Sequence, residues 1–525
     1  MTSSAAVRIW TPLRGPWFRR ILAASLVADL GSFMQSVGAA WLMVSIHAGP
    51  LYVALTQTAS TLPFFLLGLP AGALGDIVDR RRLILWAEAF MFAVACVLAA
   101  TTVAGAMSPW LLLALTFALA CGQAIESPSW RAVLPELVTR EDLAAAAALN
   151  GIEYNAATAV GPALAGVLIA TAGVGTAFVI YAVSFFAVIA VIARWQRCLR
   201  PRTSPTESLG GATLAALRYV RYAPSIQAVL VRSAVVMFCA SATFALLPTL
   251  ASTASGSAIA YGLLLGTFGV GAIAGAFVLQ EARQRWTIDS IVTTAVAVLG
   301  AATVATGSLR DVRGLLATML FAGAAWIVFF SMANAQIQTL SPDWIRARLL
   351  AVFMLATEGG LALGSVVWGV LASRTSVRAA LMAAGLAAIA STILTVVARW
   401  PDTAADVRPW VHWRLPAVAA GTVTAPHQGP VLVAVEYRVD PVNADAFLDA
   451  VTAYERIRRR DGAFRWAIFR DVEHPDLYLE TFLVASWAEH LRQHERLTLE
   501  DRELEERIGA LVQGAPAIRH LVQPV

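Results

Sequence analysis

Long apolar runs recur through most of the chain, separated by short joints that carry Gly, Pro or Arg. Twelve of them approach the roughly 20 mostly apolar residues that cross a hydrocarbon core. They cover 21–46, 51–74, 83–105, 109–126, 149–171, 174–194, 225–250, 258–280, 288–307, 313–333, 349–372 and 377–398. The first run is too long for a signal-peptide core and has no small-residue cleavage ending, so no removed leader is expected. After 398 the pattern changes. Residues 431–439 read as a strand, and 441–460 as an amphipathic helix with Ala446, Phe447, Ala450, Val451, Tyr454 and Ile457 on one face. Residues 464–472 and 478–486 read as two strands around a His-Pro-Asp turn, 487–512 as helical, and 517–522 as a last strand.

This patterning predicts an all-α polytopic membrane protein of 12 transmembrane helices in a 6+6 pseudo-repeat, plus a small C-terminal α+β domain. The βαββαβ order of that domain is ferredoxin-like. The expected domains are an N-terminal arm at 1–20, a six-helix half at 21–194 and a central loop at 195–223. A second half at 224–398, a Pro-, Ala- and Trp-rich linker at 399–429 and the α+β domain at 430–525 complete the chain. Trp400, Trp410 and Trp413 in the linker suit a membrane-interface belt.

Composition agrees. The 525 residues are 58% hydrophobic and 14% charged, where a soluble domain is about 45–50% apolar and about 25% charged. A cytosolic globular protein, a disordered chain, a disulfide-rich secreted domain and a nucleic-acid-binding domain are all excluded. Cys96, Cys121, Cys198 and Cys239 show no C-x-x-C spacing, so neither a disulfide framework nor a zinc site is expected. All 39 basic residues are Arg. From Gly429 onward there are 12 Arg against 17 acids, whereas the preceding residues hold 27 Arg and 17 acids. The tail is therefore a different, soluble class of structure.

Arg placement sets the expected orientation. With the N-terminus inside, the cytoplasmic segments carry nineteen Arg, including Arg80, Arg81 and Arg82, and the outer loops only Arg310, Arg313, Arg374 and Arg378. Both termini and the α+β domain are then cytoplasmic. The two halves also repeat in sequence. At a constant offset of 203, Gly68 and Gly72 fall on Gly271 and Gly275, Arg80 and Arg82 on Arg283 and Arg285, and Gly161 and Gly166 on Gly364 and Gly369. Parallel repeats of this kind are one design for secondary transporters. Glycines at such spacings let helices approach closely, and packing is their expected direct role.

Between the second and third spans the chain reads Gly72-Ala-Leu-Gly-Asp76-Ile-Val-Asp79-Arg80-Arg81-Arg82. The Arg cluster holds this short hairpin inside, and Asp76 can accept from the free N–H groups of a neighbouring helix N-terminus. The segment resembles the signature loop of the major facilitator superfamily, G-x-L-A-D-R-x-G-R-R, through Gly72, Leu74, Asp76, Arg80 and Arg81. Ile77 replaces the usual first Arg and Asp79 the usual Gly. The resemblance implies a cytoplasmic gate role for Asp76 with Arg80. The stretch Gly161-Pro162-Ala-Leu-Ala-Gly166 resembles in part the fifth-span motif of exporters. Together with Pro128-Ser-Trp-Arg and Asn150 it is similar to the bacterial branch that includes enterobactin exporters. The appended domain narrows the likeness to the transmembrane secretion effector family. The resemblance implies export of a small organic molecule such as a siderophore or drug. An importer, or a membrane-anchored enzyme or sensor, stays open as an alternative.

Ionisable groups at bilayer depth are functional candidates. Asp29 and Arg232 are 203 apart, hence pseudo-equivalent and expected at similar depth, where they either pair across the halves or, in the alternative, Arg232 snorkels to the cytoplasmic interface and Asp29 bonds locally. Glu153, Asn155 and Glu358 lie in the fifth and eleventh spans, with Glu88 and Glu126 nearby in sequence class. A carboxyl group at that depth can carry a proton and couple efflux to the proton gradient. No phosphate-cradling loop is present, so ATP drive is not expected. The tail resembles dimeric α+β barrel domains of the antibiotic biosynthesis monooxygenase type, which implies a homodimer through the sheet or a sensor. No flavin or haem signature is visible and no cofactor is expected. His490 and His494 sit one helical turn apart but share their segment with Arg492 and Arg496, so a solvated face is expected rather than a metal site. The expected partners are a small-molecule substrate and the lipid bilayer, and no nucleic acid.

Overall fold

The computed structural model describes residues 10–139, 141–195, 209–402, 406–408, 410 and 428–523. Cys198 and Trp413 lie outside them, as do the side chains at Gly72 and Asp76. The chain divides into two compact units. The first comprises Met1–Ser204, Leu230–Ala333 and Phe353–Trp400; the second Pro205–Val229, Asn334–Val352 and Pro401–Val525.

Twelve helices are long and apolar enough to cross a membrane, so the protein is a multi-pass membrane protein. They are α1 (Pro16–Ser45), α2 (Pro50–Ile77), α3 (Arg80–Val103), α4 (Pro109–Leu137), α5 (Leu143–Ala172) and α6 (Val174–Arg194). After a further helix, α7 (Leu209–Tyr222), come α8 (Pro224–Ser255), α9 (Ala258–Arg285), α10 (Ile288–Ser308), α11 (Val312–Thr339), α12 (Arg346–Arg374) and α13 (Val377–Ala390), the last prolonged by short turns to Val397. Several start on a side chain that accepts from the first turn: Asp79 from Arg82 N at 3.0 Å, Ser108 from Leu111 N at 3.3 Å, and Ser376 from Ala379 N at 3.1 Å. Gly173, at φ 83°, turns the chain between α5 and α6 in a conformation that side chains resist. Helix α4 runs past the apolar stretch ending at 126, through Pro128 and Pro135, to Leu137. The missing prolyl donors are tolerated because membrane helices re-satisfy them locally.

The repeat-related glycines Gly161, Gly166, Gly271, Gly275, Gly364 and Gly369 lie at helix crossings. A Cβ at Gly161 would come within 2.8 Å of Phe33 Cβ, and one at Gly166 within 3.0 Å of the Gly262 Cα. Gly369 faces Ala54, and Gly364 the Phe238 carbonyl. The tightest crossing joins α9 to α11, where a Cβ at Gly323 would overlap the Phe268 carbonyl and one at Gly271 the Leu320 carbonyl. Neither neighbour can move without shifting backbone. Gly323→Ala is therefore expected to destabilise the purified protein by about 1–3 kcal/mol, the usual cost of overpacking. A melting temperature in detergent equal to that of the parent protein would refute this.

The second unit contains a four-stranded antiparallel sheet in the order β2-β3-β1-β4. Its strands are β1 (Val431–Arg438), β2 (Phe464–Arg470), β3 (Leu477–Val484) and β4 (Ala517–Val522). Helix α14 (Ala444–Asp461) joins β1 to β2; α15 (Trp487–Arg496) and α16 (Leu499–Leu511) join β3 to β4. Alternation works as expected: Val431, Val433, Val435, Phe482 and Val484 point to the helices and are buried with Phe447, Val451 and Tyr454. A buried ion pair sits in this core, between Glu480 and Arg458. Glu480 is 0% exposed and accepts from Tyr437 Oη at 2.8 Å, Trp466 Nε1 at 2.9 Å and Arg458 Nε at 3.2 Å. Buried charges persist only when so fully paired.

The solvated face expected for His490 and His494 is corrected: they are 1% and 6% exposed. Arg492 and Arg496, which suggested solvation, are instead drawn to Glu489. The two rings meet with Nε2 atoms 3.3 Å apart, and His520 lies 4.7 Å from His490 between centroids. Burial first, then the neighbouring rings, lowers His490 from 6.5 to about 3 and His494 to about 4. The unfolded chain therefore binds more protons than the folded one between these values and 6.5. The sign follows directly: stability is full above 6.5 and falls as pH drops through this window. Glu489, held at about 2 by three guanidinia against the cost of burial, stays ionised throughout. Thermal melts of the purified protein from pH 7 to pH 4 are expected to show a steady fall for this domain; a flat profile would contradict it.

Candidate functional site

The first unit gathers its buried carboxyl groups in pairs. Asp29 on α1 and Glu153 on α5 lie near each other. Glu88 on α3 and Glu126 on α4 do the same. Glu88, Glu126 and Glu153 are buried. Between the pairs, Gln123 Nε2 on α4 donates to Ser32 Oγ on α1 at 3.3 Å. Tyr154 follows Glu153 along α5, is exposed, and meets Phe33 at 6.2 Å between ring centroids. It lies within electrostatic reach of Asp29, Glu153, Glu358 and Arg131. Three of the sequence-derived candidates, Asp29, Glu153 and Glu358, are thus brought around one tyrosine. Asn155 is not: its Nδ2 donates to the Gly151 carbonyl one turn back, at 2.7 Å, and it is exposed.

The expected pairing of Asp29 with Arg232 does not occur. Arg232 on α8 forms a short ion pair with Asp289 in the first turn of α10. They are 3% and 8% exposed. The guanidinium also lies 5.1 Å over the Trp400 ring, and the Trp400 backbone N–H donates to Asp289 Oδ1 at 3.3 Å. Trp400 is buried against Phe329 and is not an interfacial residue. The repeat equates positions in two halves but does not bring them into contact, and Asp289 satisfies Arg232 locally.

In the motif after α2, Arg80 pairs with Glu136 on α4 at 2.9 Å. Arg81 donates to the carbonyls of Ile192 at 3.0 Å and Ala193 at 2.6 Å. These carbonyls lie in the last turn of α6, where a cation also suits the helix dipole. Asp79, which stands where the signature has Gly, caps α3. The cluster thus binds α3 to α4 and α6. Asp289 and Glu136 were missed by sequence reading. A carboxylate at the start of an apolar run, and one after Pro135 in a run of Pro and Arg, were the available signals.

Among the described residues, the halves meet through close backbone packing at two crossings, besides the stacking of Trp41 of α1 on Tyr261 of α9. On α5 and α9, Gly166 meets Gly262, Ala163 meets Gly266 and Ala159 meets Gly269. On α2 and α12, Thr58 Oγ1 donates to the Ala362 carbonyl at 3.2 Å, Ala54 meets Gly369, Phe65 meets Gly359 and Leu355 meets Gly68.

The family described as transmembrane secretion effector matches residues 7–524. The staphyloferrin A transporter of Staphylococcus aureus is 26% identical over 166 residues, 31% of this chain and 42% of that protein. An uncharacterized MFS-type transporter of Bacillus subtilis is 26% identical over 42% of this chain and 52% of its own length. The chain thus spans about half the length of these two relatives. The multidrug efflux pump Tap of Mycolicibacterium fortuitum is 25% identical over 71% of this chain and 93% of the pump. Among solved structures, a bacterial homologue of the iron transporter ferroportin in an inward-facing state aligns with a TM-score of 0.57 at 18% identity, over 73% of this chain and 98% of that one. The fold is therefore that of major-facilitator transporters, and the family and its named relatives are transporters rather than enzymes. The chain belongs to the transmembrane secretion effector family of the major facilitator superfamily.

Proposed function

We propose that the protein exports a small organic molecule from the cytoplasm of a bacterium by alternating access, driven by the proton gradient across the inner membrane. The observation that carries this reading is the approach of half-buried Asp29 to buried Glu153, carboxyl groups on two different spans with Tyr154 and Glu358 in the same neighbourhood. Carboxyl groups of one half that are protonated on one side of the membrane and release the proton on the other couple that proton to the motion of their half against its partner half. The named relatives supply the substrate classes: a siderophore for one, multiple drugs for another. With the Arg-rich joints cytoplasmic, the α5–α9 and α2–α12 crossings lie toward the outer face, as in an inward-open state. Asp76 and Arg80 would close the cytoplasmic side in the opposite state. In the C-terminal domain, the sheet face opposite the helices carries Leu432, Phe469, Leu479, Leu483 and Leu521, a self-complementary surface that suits a homodimer.

Everted membrane vesicles test the proposal. A panel of siderophores and cationic dyes is offered with a proton gradient, to the parent protein and to Asp76→Asn. Gradient-dependent uptake of a panel member, abolished by a protonophore and by Asp76→Asn, is expected. Uptake that ignores the gradient would remove proton coupling, and uptake only in right-side-out vesicles would reverse the direction.

A further inference from the structure

We propose that the C-terminal domain is a brace: it pins the helix preceding the seventh span to the segment joining the tenth and eleventh spans, so that the ends of these three spans move as one body. The second unit contains all the parts: α7, the start of α8, the α11–α12 segment and the domain itself.

Glu489 is the pin. It accepts from Arg218 of α7 at 2.9 Å, from Arg496 at 2.6 Å and from Arg492 at 2.9 Å. Arg218 Nε also reaches the Arg460 carbonyl at 3.4 Å. The guanidinium of Arg496 lies 4.5 Å over the ring of Trp344, in the α11–α12 segment. That of Arg460 lies 5.4 Å over Tyr219 of α7. Tyr219 and Trp344 then meet edge to face at 5.9 Å. The contacts close a ring, in which helix, segment and domain each touch the other two. Exposed ion pairs contribute little, but Arg496 is buried, and cations held over aromatic faces away from water interact more strongly.

The ring is also tied to the spans. Gln227, in the first turn of α8, donates to the carbonyls of Val220 at 2.8 Å and Arg221 at 2.7 Å, at the end of α7. Ala223 is all that separates the two helices, so α7 cannot turn without α8. Arg346, the first residue of α12, donates to the carbonyls of Gln338 at 3.2 Å and Ser341 at 3.1 Å, fastening it to the end of α11. Gln336 of α11 donates to the Pro401 carbonyl at 3.2 Å. A domain that merely hung from the chain would need none of these.

Hydrogen exchange on the purified full-length protein in nanodiscs reads the brace directly, whatever molecule is carried. Glu489→Gln keeps the shape and removes the charge. Amides at 213–222 and at 338–346 are both expected to exchange about tenfold faster, with the β1–β3 amides unchanged. Acceleration confined to one segment, or absent from both, would overturn the brace. Should the sheet amides also lose protection, Trp344→Ala decides, because it lies outside the domain. It is expected to loosen 213–222 while leaving the sheet intact, and unchanged exchange at 213–222 in that variant would overturn the proposal.

Discussion

Replacing Glu153 by Gln is expected to abolish uphill, gradient-driven transport while leaving downhill exchange of the substrate intact. The amide keeps the volume of the carboxyl group and can still donate to Asp29, so the α1–α5 contact survives. It cannot take up or release a proton, so the pair loses the exchangeable charge that couples it to the gradient. The expected signature is a split: accumulation in vesicles falls to background, and equilibrium exchange without a gradient persists. Loss of both would make Glu153 a structural or substrate-binding residue. Retention of uphill transport would move coupling to Glu358 or to the Glu88–Glu126 pair.

The largest stability effect is expected at Arg232. Removing either Arg232 or Asp289 strands a buried charge, at a cost of about 3–5 kcal/mol. The ring of Trp400 cannot replace the carboxylate, because a cation–π contact is worth only about 0.5–2 kcal/mol. Arg232→Met and Asp289→Leu should each lower the melting temperature steeply or prevent recovery of folded protein. The double variant should regain most of the loss, since a well-packed apolar pair often equals or exceeds the ion pair it replaces. A double variant as unstable as the sum of the singles would mean that the ion pair does more than neutralise itself. Fluorescence-detected size exclusion after heating distinguishes these outcomes.

The twelve spans were legible because apolar length alone specifies them, and the βαββαβ order because alternation and turn residues mark each strand. Helix ends were not. Helix α4 continues eleven residues beyond its apolar run to Leu137, because a helix does not stop where hydrocarbon does. Partners of charges were also hidden. Asp29 and Arg232 share a position in the repeat, but contacts depend on which neighbouring helix faces each one: α5 offers Glu153 to the first and α10 offers Asp289 to the second. His490 and His494 illustrate the same limit. Arg492 and Arg496 made their helix look solvated, yet Glu489 and Trp344 hold those guanidinia and leave the histidine face to the core. Asp29, Glu153 and Glu358 could be named from burial in apolar runs; that they surround Tyr154 required the fold.

Among the described residues, the glycine contacts joining the halves all fall within 51–68 of α2, 158–166 of α5, 258–269 of α9 and 355–369 of α12. Counting along each span, these stretches take up the first half of α9, the first two thirds of α2, and the part of α5 and α12 from near the middle toward the end. In the proposed inward-open state these contacts would floor the passage between the halves, so a molecule entering from the opposite end would meet interlocked backbone. Compounds large enough to fill the passage would act as wedges, holding the halves apart where they must meet. A compound arriving from the sealed side would meet closely packed glycine and alanine with a few apolar side chains such as Leu51 and Phe65, and little to grip.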